Sequence, residues 1–80
     1  MERVAKAIKS VFPDYNPSTL SVTTPLGDIP GWDSMNSVNL TLELETTFSI
    51  DLSNVILSDR DTVGDVVGIL RERGAVLRQA

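Results

Sequence analysis

The chain has 80 residues and a formal charge of −4, with no cysteine and no histidine. That length holds one domain, residues 1–80, with a small core, and the missing residue types exclude disulfides, zinc sites built on Cys or His, and catalytic triads needing a His base or Cys nucleophile. The acidic balance and an aromatic content of 5% argue against nucleic acid, which is bound through Lys, Arg and stacking rings, while 41% hydrophobic residues suffice for a packed fold.

Val4, Ala7, Ile8, Val11 and Phe12 follow the stripe of an amphipathic helix. The spacing predicts a helix over about residues 2–12, stopped by Pro13, because proline pushes its predecessor out of the helical region. Lys6 and Lys9 interrupt the apolar run that a secretory signal needs. No apolar stretch approaches the roughly 20 residues of a membrane span. The expectation is a cytoplasmic protein with no membrane span. Residues 13–33 then carry all four prolines, together with Gly27 and Gly31. A connection this long is often functional. Leu20, Val22, Leu26, Ile29 and Trp32 can pin it across the core.

Residues 34–48 read two ways. Val38, Leu40, Leu42 and Leu44 alternate with polar residues, as in a half-buried strand. On a helix, Met35, Val38 and Leu42 form one stripe, and Leu40, Leu44 and Phe48 form another roughly 150° away. Periodicity leaves the choice open. The neighbours favour the helix, since a single strand among helices would have no partner for its backbone groups. Residues 49–61 are irregular, with an apolar knot at Val55, Ile56 and Leu57, and Ser53 could cap a short helical turn. Thr62 and Asp65 make a short capping box ahead of the apolar face Val63, Val66, Val67 and Leu70. Gly74 is a natural stop, and Ala75 to Ala80 have no clear partner. The expected fold is all-α: a small four-helix bundle of three main helices and a short third helix, with a long first loop.

Charge is unevenly spread. Residues 1–13 hold three basic and one acidic side chain, residues 66–80 hold three Arg against Glu72, and residues 14–65 hold nine acids against Arg60 alone. This is either a solvated surface that keeps a small domain soluble or a negative face that steers basic partners.

Gly31-Trp32-Asp33-Ser34-Met35 sits where the long loop meets the second helix. Here the sequence resembles the acyl carrier protein family, whose Asp-Ser-Leu signature stands at the start of helix two. The likeness extends through Val38, Leu40, Leu44, Glu45, Phe48 and Ile50 to Thr62-Val63-Gly64-Asp65-Val66-Val67, and so covers most of the chain. The Gly-Trp-Asp-Ser-Met variant looks like that of stand-alone bacterial carriers serving specialised pathways. D-alanyl and peptidyl carriers share the fold and the modified serine, but peptidyl carriers usually show a Gly-Gly near that serine that is absent here.

The resemblance implies a carrier rather than an enzyme, with no catalytic residue and no metal. It implies 4'-phosphopantetheine placed covalently on Ser34 by a phosphopantetheinyl transferase. The thiol that bears the acyl group belongs to the cofactor, so the lack of Cys and His is no obstacle. Free N–H groups and the helix dipole favour a phosphate at a helix N-terminus. Asp33 opposes it slightly, and in the family helps dock the basic transferase. The other implied partners are acyl-loading and acyl-processing enzymes with basic docking surfaces, met by a monomer. Leu40, Leu44 and Phe48 are expected in the core. Met35, Val38 and Leu42, on the side of Ser34, either contact partners or the acyl chain, or pack under the third helix. Trp32 is a loop anchor or a partner contact. Glu45 and Asp51 are solvated or touch partners. Asn36, Asn39 and Thr47 replace acids common in the family, Val55 and Ile56 replace frequent acids, and Arg60 replaces a common core aliphatic, which points to a dedicated carrier with its own partner set. The alternatives are an aminoacyl or peptidyl carrier loaded by an adenylating enzyme, and an unmodified helical interaction module.

Overall fold

The computed structural model describes residues 2–74, so the tail from Ala75 to Ala80 lies outside the described residues. Among the described residues three α-helices carry the architecture: α1 (Glu2–Val11), α2 (Ser34–Phe48) and α3 (Val63–Glu72). Two 3-10 turns, Pro17–Thr19 and Leu26–Asp28, punctuate the long first connection. Among the described residues none lies in a β-strand, and no helix is long and apolar enough to cross a membrane.

In α1 the predicted stripe turns inward, burying Val4, Ala7 and Ile8, with Phe12 just beyond the helix end. The Lys9 ammonium donates to the carbonyls of Pro13 (2.6 Å) and Tyr15 (3.1 Å). It thus sits where helix-end carbonyls favour a cation. Arg3 ties α1 to the far end of α2. Its guanidinium donates to the Thr47 carbonyl and lies 4.6 Å from the centroid of the Phe48 ring, a cation–π contact.

The helical alternative for residues 34–48 is the one realised. Leu40, Leu44 and Phe48 are buried against α1, while Met35, Val38 and Leu42 face outward. Leu and Glu are strong helix formers, and the core can be reached by only one stripe of a helix. The helix closes at Ser49, whose left-handed backbone (φ 56°) turns the chain so that the next N–H, that of Ile50, also reaches the Glu45 carbonyl at 3.2 Å.

The short third helix does not form. Ser53 caps nothing: its own N–H donates to the Asp51 carboxylate at 2.9 Å, a local turn of the kind Asp favours. The Leu52 N–H is taken by Glu45 Oε2 at 2.6 Å, and the Leu57 carbonyl by the Ser37 hydroxyl. Tied to α2 at Leu52 and Leu57, the segment runs as turns across that helix. Glu45, expected to be solvated or to contact partners, is therefore a structural clamp.

The long loop is pinned by its backbone as well as its side chains. Leu26 N–H donates to Asp61 O (2.8 Å), Gly27 N–H to Asp59 O (3.0 Å), Val63 N–H to Thr24 O (2.9 Å) and Gly64 N–H to Val22 O (2.8 Å). The approach is so close that a Cβ on Gly27 would lie 2.7 Å from Asp59 Cβ. Leu26 and Ile29 are buried, and Leu20 and Trp32 pack partly against the core, as expected. The Val22 side chain is exposed, so only its carbonyl anchors the loop. The helix α3 opens under the expected box: Asp65 N–H donates to Thr62 Oγ1 (3.2 Å) and Thr62 N–H to Asp65 Oδ2 (2.9 Å). Gly74, at φ 83°, follows its end.

Candidate functional site

The loop reaches α2 through Gly31, whose φ of +92° suits glycine and few other residues. Trp32 is half-buried and stacks on Phe12, with ring centroids 5.9 Å apart and planes 20° from parallel. Its backbone N–H donates to the Ile29 carbonyl at 3.1 Å. Trp32 is thus an anchor of the loop. Asp33 is extended (φ −154°, ψ 179°) and caps α2, its Oδ1 accepting from Asn36 N–H at 2.7 Å. An acid at this position satisfies one of the orphan donors of the first turn and complements the helix dipole.

Ser34 is the first helical residue and is exposed. Among the described residues its hydroxyl has no hydrogen-bond partner, and the N–H groups of Ser34 and Met35 have no acceptor. An unencumbered hydroxyl beside two open N–H groups at the positive end of a fifteen-residue helix suits a phosphodiester. An open groove of about 600 Å³ starts there, bounded by Trp32, Asp33, Ser34 and Val38 on one side and Ile56 to Asp59 on the other.

A profile of the family described as phosphopantetheine attachment site matches residues 2–70. The chain belongs to that family. An acyl carrier protein of Onion yellows phytoplasma (strain OY-M) is 32% identical over 62 residues, covering 78% of this chain and 82% of that protein. No solved structure gives a significant match. The chain is accordingly a carrier and not itself an enzyme, and its cofactor is covalently bound 4'-phosphopantetheine. That group supplies a thiol, the reactive atom that a chain without cysteine lacks.

The carrier's outward stripe lies beside the serine. Met35 is 73% exposed, Val38 57% and Leu42 54%, and Ile56 joins them at 87%. Packing of the first three under a third helix is thereby ruled out. A second groove of about 400 Å³ runs between Val38, Thr41 and Leu42 of α2 and Leu52, Val55 and Ile56 of the following segment. The sequence marked Ile56 only within the apolar knot and, with Val55, as a replaced acid, and did not group it with Met35, Val38 and Leu42, because Val55, Ile56 and Leu57 look alike there. In the fold Leu57 is buried, Val55 is half-buried and Ile56 is the outward member.

Asn36 was likewise read only as a missing acid. It is half-buried, and its side-chain Nδ2 donates to the Gly31 carbonyl at 2.9 Å while its Oδ1 accepts from Asn39 Nδ2 at 3.1 Å. No pattern in the sequence marks a side chain that reaches back to a loop carbonyl. Asp51 is exposed and lies away from the serine. Its carboxyl is held below the ordinary value of 3.8, chiefly by the Ser53 backbone N–H, then by the Ser53 side chain, with smaller contributions from Glu45 and then Arg73. Arg60 is exposed, so its replacement of an aliphatic leaves no charge in the core.

Proposed function

We propose that Ser34 is the attachment residue and that the chain carries acyl intermediates as thioesters between partner enzymes of a specialised lipid, polyketide or related pathway. The observation that carries this reading is the exposed, unbonded Ser34 hydroxyl at the N-terminus of α2, inside the family match. Loading comes from coenzyme A. The serine oxygen attacks the phosphorus that bears the pantetheine arm, a new P–O bond forms, and the diphosphate bridge breaks. The adenosine bisphosphate leaves with the electron pair, and the serine proton passes to a base of the phosphopantetheinyl transferase.

Each partner serves a monomeric carrier in the cytoplasm. Asp33 and Asp59 flank the groove beside Ser34 and favour basic rims on the transferase and on the acyl-loading and acyl-processing enzymes. Met35, Val38 and Leu42 offer the apolar contact. Interfaces of this small, partly electrostatic kind release quickly, as a shuttle requires. The arm then presents its thioester to each enzyme at a high effective concentration.

Intact mass after incubation with coenzyme A and a broad-range transferase tests the assignment. The wild type gains one phosphopantetheine unit and Ser34→Ala gains none. An unchanged wild type, or an equal gain on Ser34→Ala, refutes it. Loading of the modified protein with fatty acyl or malonyl donors, against amino acids, separates an acyl carrier from an aminoacyl or peptidyl one. Acyl loading is the expected result, in line with the phytoplasma relative.

A further inference from the structure

We infer that Asn36 is a positioning residue for the attachment serine: its side-chain amide clasps the Gly31 carbonyl and holds the Gly31–Ser34 turn in the form that the transferase engages. The inference rests on Ser34 being the attachment point.

Asn36 grips the turn on both sides of Trp32. Its backbone N–H donates to the Asp33 side chain at 2.7 Å, and its side-chain Nδ2 donates to the Gly31 carbonyl at 2.9 Å. The bond from Asn39 Nδ2 to Asn36 Oδ1 occupies the amide oxygen. Both side-chain contacts therefore agree on one amide orientation, with the nitrogen toward Gly31. Between these grips the Trp32 ring rests on Phe12 and the Trp32 backbone N–H meets the Ile29 carbonyl. Among the described residues, the only other hydrogen bond on the backbone of residues 31–33 is the first helical one, from Ser37 N–H to Asp33 O at 2.9 Å.

The molecule supplies its own control. Asp65 occupies the same third position of α3 that Asn36 occupies in α2, and it returns its carboxylate to the N–H of its cap, Thr62. Asn36 makes no such bond to Asp33, and the Asp33 N–H has no acceptor among the described residues. Helix stability alone favours an acid at this position, which would close the box and complement the dipole. Asn36 gives up both and reaches two residues further back, to the turn. An amide does this and a carboxylate cannot, because only the amide has an N–H to donate. The effect falls on transfer to Ser34, where a misplacement of about 1 Å can cost on the order of a hundredfold in rate.

Attachment kinetics on the full chain, followed by intact mass with coenzyme A and the transferase, test this with Asn36→Asp and Asn36→Ala. Both variants are expected to lose about tenfold or more in kcat/KM. Asn36→Asp is expected to melt at or above the wild-type temperature, since it rebuilds the box seen at α3. A role in docking a basic transferase predicts the opposite rate, because the added acid would speed association. Asn36→Asp modified at or above the wild-type rate overturns the clasp, as does a loss confined to variants whose melting temperature falls in step. A wild type that gains no mass, or a Ser34→Ala that gains as much, overturns the attachment assignment and the clasp with it. A modified wild type with unaffected Asn36 variants overturns the clasp alone.

Discussion

Both α2 and α3 emerge from irregular chain beneath a side-chain cap, and the two caps part company at their third residue. At α3, Thr62 and Asp65 satisfy each other's backbone N–H groups and the arrangement closes on itself. At α2, Asp33 receives the Asn36 N–H, but Asn36 sends its amide back to the Gly31 carbonyl. The first serves only its helix. The second couples the helix to the turn that displays Ser34, and leaves donors unsatisfied beside that serine. Equivalent local chemistry thus gives a closed helix start in one place and an open, loop-controlling one in the other.

The contrast assumes that α2 is held by its core face, so that its first turn can serve the site. Leu44→Ala should therefore have the largest effect, a loss of about 2–5 kcal/mol in urea unfolding, as for other buried leucines. A loss below about 1 kcal/mol would mean that the first turn itself holds the helix. Removing the two caps comes next. Thr62→Ala and Asp33→Ala should each cost about 1 kcal/mol of stability. Only Asp33→Ala should also slow phosphopantetheine attachment, and equal attachment rates in the two variants would erase the distinction. Leu42→Ala should shift stability by no more than about 0.5 kcal/mol, because the side chain is largely exposed. Its expected effect is weaker binding to a processing enzyme, read by titration calorimetry.

The smallest effect concerns Asp51. A carboxyl whose folded value is lowered contributes stability at pH above its unfolded value, and loses that contribution as pH falls through the folded one. The stability gap between wild type and Asp51→Ala should be present at neutral pH and close on acidification below 3.8. The same gap measured on either side of that range checks the sign, and attachment at neutral pH should be untouched.

Much of this could be read from residue order. The stripe of α1 and the Thr62–Asp65 box are local, since every group involved lies within a turn or two of its partner. Two apolar stripes on α2 were also readable, along with the side on which Ser34 falls. The strand alternative for residues 38–44 was not removable by periodicity, because the same residues alternate as well as they spiral. The absence of the short third helix was not legible because residues 49–61 are tied non-locally to α2, the Leu52 N–H to Glu45 and the Leu57 carbonyl to Ser37. Val55, Ile56 and Leu57 could not be sorted for the same reason, as their exposure depends on how that segment lies across α2.

Sequence alone determined that this chain carries no thiol or imidazole of its own, that its helices present one apolar face inward, and that a serine follows an aspartate at a helix start. These are properties of composition and of neighbours within a few residues. Tertiary structure decided which apolar residues remain outside, and gave Glu45 and Asn36 their partners seven and five residues away. A hydrogen bond across a loop depends on where the backbone returns, and that is set only when the whole core has packed.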